Sequence, residues 1–117
     1  MYINGFIVPV PEGNKQAYID VANKFWPLAK EFGALSHVEC WEADVKDGNT
    51  TDFRRAVKAQ DGEKIVFSWV VWPDKQTAEA AEIKMMEDPR MADFGEMPFD
   101  GPRMVYGGFV PVVEFHA

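Results

Sequence analysis

MPFDGPRMVYGGFVPVVEF, residues Met97–Phe115, reads as a turn followed by the longest extended run in the chain. Pro98 and Pro102 flank Phe99-Asp100-Gly101. Asp and Gly favour a tight turn because Gly accepts positive φ and Asp bonds its own backbone. Beyond the turn, Met104, Tyr106, Gly108, Val110 and Val112 alternate with Val105, Gly107, Phe109, Pro111 and Val113. Strand side chains point to opposite faces with period two, so both faces of this strand are mostly apolar. Gly107-Gly108 predicts a bulge, a bend or a close backbone approach. Pro111 cannot donate to a ladder and predicts an edge or an irregular end.

The rest of the chain supplies elements to pair with this strand or pack on it. Tyr2–Val10 reads as a strand ended by Pro9 and Pro11, and Asn14 is a helix cap candidate. From Lys15 the period changes to a helical one. Tyr18, Val21, Ala22, Phe25, Ala29 and Phe32 form an apolar stripe, and Gly33 is a natural stop. Pro27 inside that pattern predicts a kink or break. Trp26 lies off the stripe, near Ile19, and suits a partner surface or a pocket rim.

Ala34–Glu42 reads as a second strand, Ala43–Asp52 as a polar loop and Phe53–Ala59 as extended. Asp61-Gly62 then signals a hairpin turn into Lys64–Trp72, KIVFSWVVW, whose nearly continuous apolar character suits a central strand. A second helix spans Asp74–Asp88, with Asp74 as its cap, buries Ala78, Ala81 and Met85, and leads through a short segment, Arg90–Glu96, into the final turn.

The order strand, helix, strand, strand, helix, strand is that of the α+β, ferredoxin-like βαββαβ fold, a single domain over residues 1–117. Two helices cover one face of a four-stranded antiparallel sheet. The other face keeps aromatic and branched side chains, and soluble proteins rarely leave such a patch in water. A homodimer packed sheet against sheet, of the dimeric α/β-barrel kind, is the expected solution.

Bulk properties narrow the function classes. A chain of 117 residues with 47% hydrophobic and 14% aromatic content can hold one real core. Its net charge of −7 disfavours nucleic-acid and anionic-membrane partners. The N-terminus does not read as a signal peptide, no run is apolar enough to span a membrane, and the expected location is cytoplasmic. Cys40 is the lone thiol, and His37 and His116 are the two histidines, without paired ligand spacing. The sequence therefore predicts no metal site and no cofactor, and it carries no phosphate loop, dinucleotide fingerprint or serine nucleophile motif.

Three stretches together resemble one family: YINGFIVPVP at the start, FRRAVKA followed by VFSWVVWP in the middle, and MPFDGPRMVYGGF near the end. They are similar to the YbaA-like family of uncharacterised small bacterial proteins, over nearly the whole chain. The resemblance implies a dimeric α/β-barrel and an unknown function.

Candidate chemistry gathers on the strands. His37, Glu39 and Trp41 share one side of the second strand, expected as a polar cluster on the open sheet face, and a His beside a carboxylate can move protons. Arg54, Arg55 and Lys58 form a local positive patch. Arg54 could hold an anionic group bidentately or bridge internally to Glu39 or Glu42. Asn4 on the first strand and Trp69 on the third resemble the placement seen in haem-degrading monooxygenases of the same superfamily, but the second helix lacks the histidine that would ligate iron. Cofactor-free quinone-type monooxygenases share the fold without that histidine.

The sequence thus predicts binding of a small, partly apolar molecule in a cavity between sheet and helices, lined by Asn4, Phe6, His37, Trp41, Trp69 and Tyr106, with Arg54 for an anionic group. The alternatives are a cofactor-independent monooxygenase acting on an aromatic substrate, with His37 and Trp69 as catalytic candidates, and a dimeric interaction module without a ligand.

Overall fold

The computed structural model describes residues 1–117. Four strands, β1 (Tyr2–Pro11), β2 (Ser36–Trp41), β3 (Glu63–Trp72) and β4 (Val105–Phe109), form one sheet in the order β2-β3-β1-β4. Every neighbouring pair is antiparallel. Helices α1 (Lys15–Glu31) and α3 (Lys75–Glu87) are the two long ones, and a single turn, α2 (Phe53–Ala56), follows the loop after β2. The architecture is ferredoxin-like, with two amphipathic helices against one face of the sheet.

The sheet is organised by its two central strands rather than by the C-terminal run. β1 and β3 are 10 residues each and pair along their full length, from Tyr2↔Trp72 to Pro11↔Glu63. β4 spans 5 residues at the edge, and the chain beyond Phe109 leaves the ladder just before Pro111, which has no N–H to give it. Gly107 and Gly108 pair in unbroken register with Gly5 and Asn4, so they mark a close approach and not a bulge. The Phe109 ring lies over Gly5 and Gly107 on one face, and the Tyr2 hydroxyl occupies the space a Cβ of Gly108 would need on the other.

Three local expectations are corrected. Phe53–Ala59 is not extended: Asp52 caps a helical turn by accepting from the Arg55 N–H at 2.8 Å, so no hairpin spans Asp61-Gly62. Pro27 does not break α1, which runs on to Glu31. The residue four positions earlier, Asn23, is exposed like Pro27 itself, so water can serve the carbonyl left without a helical donor. Asn14 does not cap α1 with its side chain; its Nδ2 donates to the Pro98 carbonyl at 3.0 Å and ties the C-terminal segment to the helix start. Asp74 does cap α3, accepting from the Thr77 N–H at 2.7 Å.

The core beneath the helices is two clusters. Ala29, Ala34, Val70, Trp72, Ala78 and Ala81 pack where α1 and α3 meet the sheet. Val8, Val10, Tyr18 and Val66 pack at the other end, and Phe6 touches both. Arg103 fastens the connection into β4 by donating to both Glu63 carboxylate oxygens, at 2.7 and 2.6 Å, and to Asp100 at 2.8 Å. The same guanidinium holds the Glu63 carboxyl below its ordinary range, mainly through those hydrogen bonds.

Gly33 ends α1 at φ 114°, and a Cβ there would sit 2.6 Å from Thr77 Cγ2 on α3. Gly33→Ala is therefore expected to cost about 1–3 kcal/mol, combining backbone strain with a clash. Adding Thr77→Ser should recover the part owed to the clash. Urea denaturation of the three proteins checks this, and an unchanged midpoint for Gly33→Ala would refute it.

Candidate functional site

The strand register decides which side chains lie under the helices. His37, Glu39 and Trp41 stand opposite Val70, Ser68 and Val66, all three of which are buried beneath α1 and α3. The polar cluster expected on the open face is therefore on the covered one. Val38 and Cys40 take the open side instead, opposite Trp69 and Phe67.

Under the helices the cluster gains a third member from α1. The Tyr18 hydroxyl donates to Glu39 Oε1, and His37 Nε2 lies 3.0 Å from Glu39 Oε2. Each carboxylate oxygen thus has its own partner. The His37 and Glu39 side chains are only 10% and 22% exposed. Phe25 meets the imidazole edge-on at 5.2 Å between centroids, and Trp26 lies at 6.4 Å. Burial, and then the adjacent Glu39 carboxylate, push the Tyr18 phenol far above its ordinary value, with the Ser68 hydroxyl opposing them. Tyr18 is accordingly a standing hydrogen-bond donor to Glu39.

This trio borders a cavity of about 270 Å³ between the sheet and the helices. Phe6, Val8 and Val70 form its floor; Val21, Ala22 and Phe25 of α1 form one wall; Met91, Phe94, Met97, Phe99 and Met104 close the rest. Of 15 lining residues 12 are hydrophobic, leaving His37, Glu39 and Ser68 as the polar ones. The three methionines are unbranched and polarisable and can adapt to an occupant. A second, outer cleft of about 380 Å³ is lined by Ile19, Asn23 and Trp26 and shares Tyr18, Ala22, His37 and Glu39 with the cavity. Trp26 is thus at a rim, as its place off the helical stripe suggested.

Of the residues the sequence nominated, Phe6 and His37 line the cavity. Asn4 lies on the same face but accepts from Trp72 Nε1 at 2.8 Å inside the core. Trp41 packs on the second cluster with Lys15 Nζ over its ring at 5.4 Å. Tyr106 projects from the edge strand and is 71% exposed. Arg54 is tied to the Glu42 carboxylate and to the Glu63 carbonyl at 3.1 Å, the internal bridge that was its other reading. Trp69 pairs with Gly5 and Val38 on the open face and packs against Phe67, so within one chain it cannot meet a ligand that Asn4 or His37 touches. The monooxygenase pairing of Asn4 with Trp69, and of His37 with Trp69, is separated by the thickness of the sheet. Tyr18 and Ser68 went unnoticed in the sequence. Ser68 had left a signal as the one polar residue inside VFSWVVW. No group of three or more His, Cys, Asp and Glu side chains is placed to hold a metal ion.

The model of a family described as "Protein of unknown function" (DUF1428) matches residues 1–101. The uncharacterized protein YbaA of Escherichia coli K12 is 57% identical over 114 residues, covering 97% of each chain, and a counterpart in Shigella flexneri matches equally. The chain belongs to this YbaA-like family of unknown function. Among solved structures, a dimeric ferredoxin-like protein from an uncultured marine organism superposes with a TM-score of 0.65 at 9% identity, covering 100% of both chains. An uncharacterized NIPSNAP domain protein from Burkholderia xenovorans gives 0.54 at 12% identity, again over 100% of both. At these identities the likeness is one of fold.

The Tyr18–Glu39 bond has a pH signature. An unfolded tyrosine loses its proton near pH ~10, whereas folded Tyr18 keeps it to higher pH. This contribution is complete below about pH 10 and is lost as the pH rises through the raised folded value. Tyr18→Phe should cost about 1–3 kcal/mol at neutral pH, because Glu39 loses a donor, and the gap should narrow above pH ~10. Urea midpoints of the two proteins across that range measure it; a constant gap would contradict the assignment.

Proposed function

We propose that this member of a family of unknown function binds a small, neutral, largely apolar molecule between sheet and helices, and that it works as a homodimer joined through the open sheet faces. One observation carries the binding reading: the covered face holds an apolar cavity of about 270 Å³ whose polar lining is confined to one corner, at His37, Glu39 and Ser68. Ligand pockets share this character, apolar walls with a few convergent polar groups, and typically begin near about 300 Å³. The volume suits a molecule of one or two rings. Charge argues for a neutral one, since neither the cavity nor the outer cleft is lined by Lys or Arg, and Arg54 is engaged elsewhere.

The dimer reading rests on the bare face. Phe67 is 47% exposed and Phe109 62%, with Val38 and Val105 on the same side. Contiguous apolar area of this kind is usually covered by a partner. Sheet faces pack well on one another, and the ferredoxin-like protein from an uncultured marine organism that superposes on this chain is a dimer.

Calorimetric titration with 2-naphthol, a neutral two-ring probe, tests the site. Saturable binding is expected at one molecule per chain, abolished by Ala22→Trp, which fills the boundary of cavity and cleft while the circular dichroism of the fold is kept. Absence of saturable binding to the native protein would overturn the reading. Light scattering at micromolar concentration should give twice the 13.3 kDa chain mass, and Phe67→Glu should halve it. A native monomer would refute the dimer.

A further inference from the structure

We propose that His37 is a general base, its ring held as the Nε2–H tautomer by Glu39, and that it removes a proton from the carbon next to the carbonyl of an apolar ketone lodged in the cavity. This rests on the binding reading and deepens it by naming the chemistry of the occupant.

The argument begins with the carboxylate. Glu39 accepts from Tyr18 at one oxygen and stands 3.0 Å from His37 Nε2 at the other. A carboxylate can only accept, so the imidazole must place its proton on Nε2. Neutral His37 then carries its lone pair on Nδ1. A carboxylate that orients an imidazole and fixes its tautomer is the arrangement that makes histidine an effective base in catalytic triads. Tyr18 sets Glu39 from the other side, and Phe25 and Trp26 confine the ring. Glu39 and Tyr18 are positioning residues here; His37 is the catalytic one.

Location adds the second observation. His37 and Glu39 line both the apolar cavity and the outer cleft. A proton taken from a substrate inside can therefore exchange with water outside. The step balances with no co-reactant. The C–H bond breaks, its electron pair becomes the C=C of an enolate, the carbonyl π pair moves onto oxygen, and the proton goes to Nδ1. Return of a proton from the imidazolium to carbon restores the ketone, and return to oxygen gives the enol. An apolar ketone fits the walls, and its neutrality fits a site without a cation.

The test uses 2-tetralone, a neutral two-ring ketone, in deuterated buffer, with binding followed by calorimetry and α-carbon deuteration by proton NMR. The native protein should bind it and accelerate deuteration at least tenfold over buffer. His37→Ala should lose that acceleration and regain part of it on addition of imidazole, which a merely structural role would not produce. Glu39→Gln should still bind but lose most of the acceleration, and the ¹⁵N shifts of the His37 ring should move from the Nε2–H tautomer toward a mixture. Binding without accelerated deuteration would overturn the base and leave the binding reading standing. No binding of 2-tetralone or of 2-naphthol would overturn both. An acceleration that survives in His37→Ala would overturn the assignment to His37.

Discussion

A strand cannot send neighbouring side chains to the same side, and in this protein only one side of the sheet has helices. The full-length pairing of β1 with β3 turns that constraint into an allocation. Asn4, Phe6, Val8 and Val10 go under the helices together with Val66, Ser68, Val70 and Trp72, while Ile3, Gly5 and Ile7 go to the bare side with Phe67, Trp69 and Val71. A slip of one residue would exchange the two sets, so the hydrophobic cost of exposing the first set fixes the register. β2 then follows β3, and His37 and Glu39 are delivered beneath α1 because Val70 and Ser68 are.

The covered face is not packed uniformly. Small residues, Ala29, Ala78 and Ala81, let α1 and α3 approach the sheet closely at one end. At the other end Tyr18 of α1 packs on Val8, Val10 and Val66. The cavity lies between, roofed by the segment from Met91 to Met104. That roof is fastened at its margins by Asn14 to the Pro98 carbonyl, Lys24 to the Asp93 carbonyl and Arg103 to Glu63. Polar bonds at the rim and methionines inside make a cover that is held in place yet adaptable within. The chemistry of the site comes from the same geometry. The Glu39 carboxylate has Tyr18 at one oxygen and His37 at the other, and it orients an imidazole that packs on Phe25 and Trp26 between an apolar interior and an outer cleft.

Much of the fold was legible because period and punctuation agree. Asp74 before an alanine-rich helix, Gly33 after an amphipathic one and the apolar run KIVFSWVVW each specify their element by local chemistry. The C-terminal run misled because its apolar length, Tyr106 to Phe115, reads as a strand although β1 begins at Tyr2 and leaves nothing opposite the residues beyond Val110. Phe53–Ala59 misled because a single capped turn carries no period to detect. The site was half legible. The spacing of His37 and Glu39 put them on one side of a strand, but which side is a matter of register with β3, a tertiary property. Tyr18 stands 21 residues from Glu39, and nothing local joins them. Arg54 had two readings, and the internal bridge, to Glu42, is the one it takes, while Trp69, nominated by its strand position, lies on the open face.

The account depends on the space beneath α1 being real and apolar. Crystals of the protein under xenon pressure test it most directly, since xenon enters dry apolar cavities and reports them as isolated density peaks. The account predicts a peak enclosed by Phe6, Phe25, Val70 and Phe94, within reach of His37. Density showing those side chains closed on one another, with no xenon between them, would contradict it.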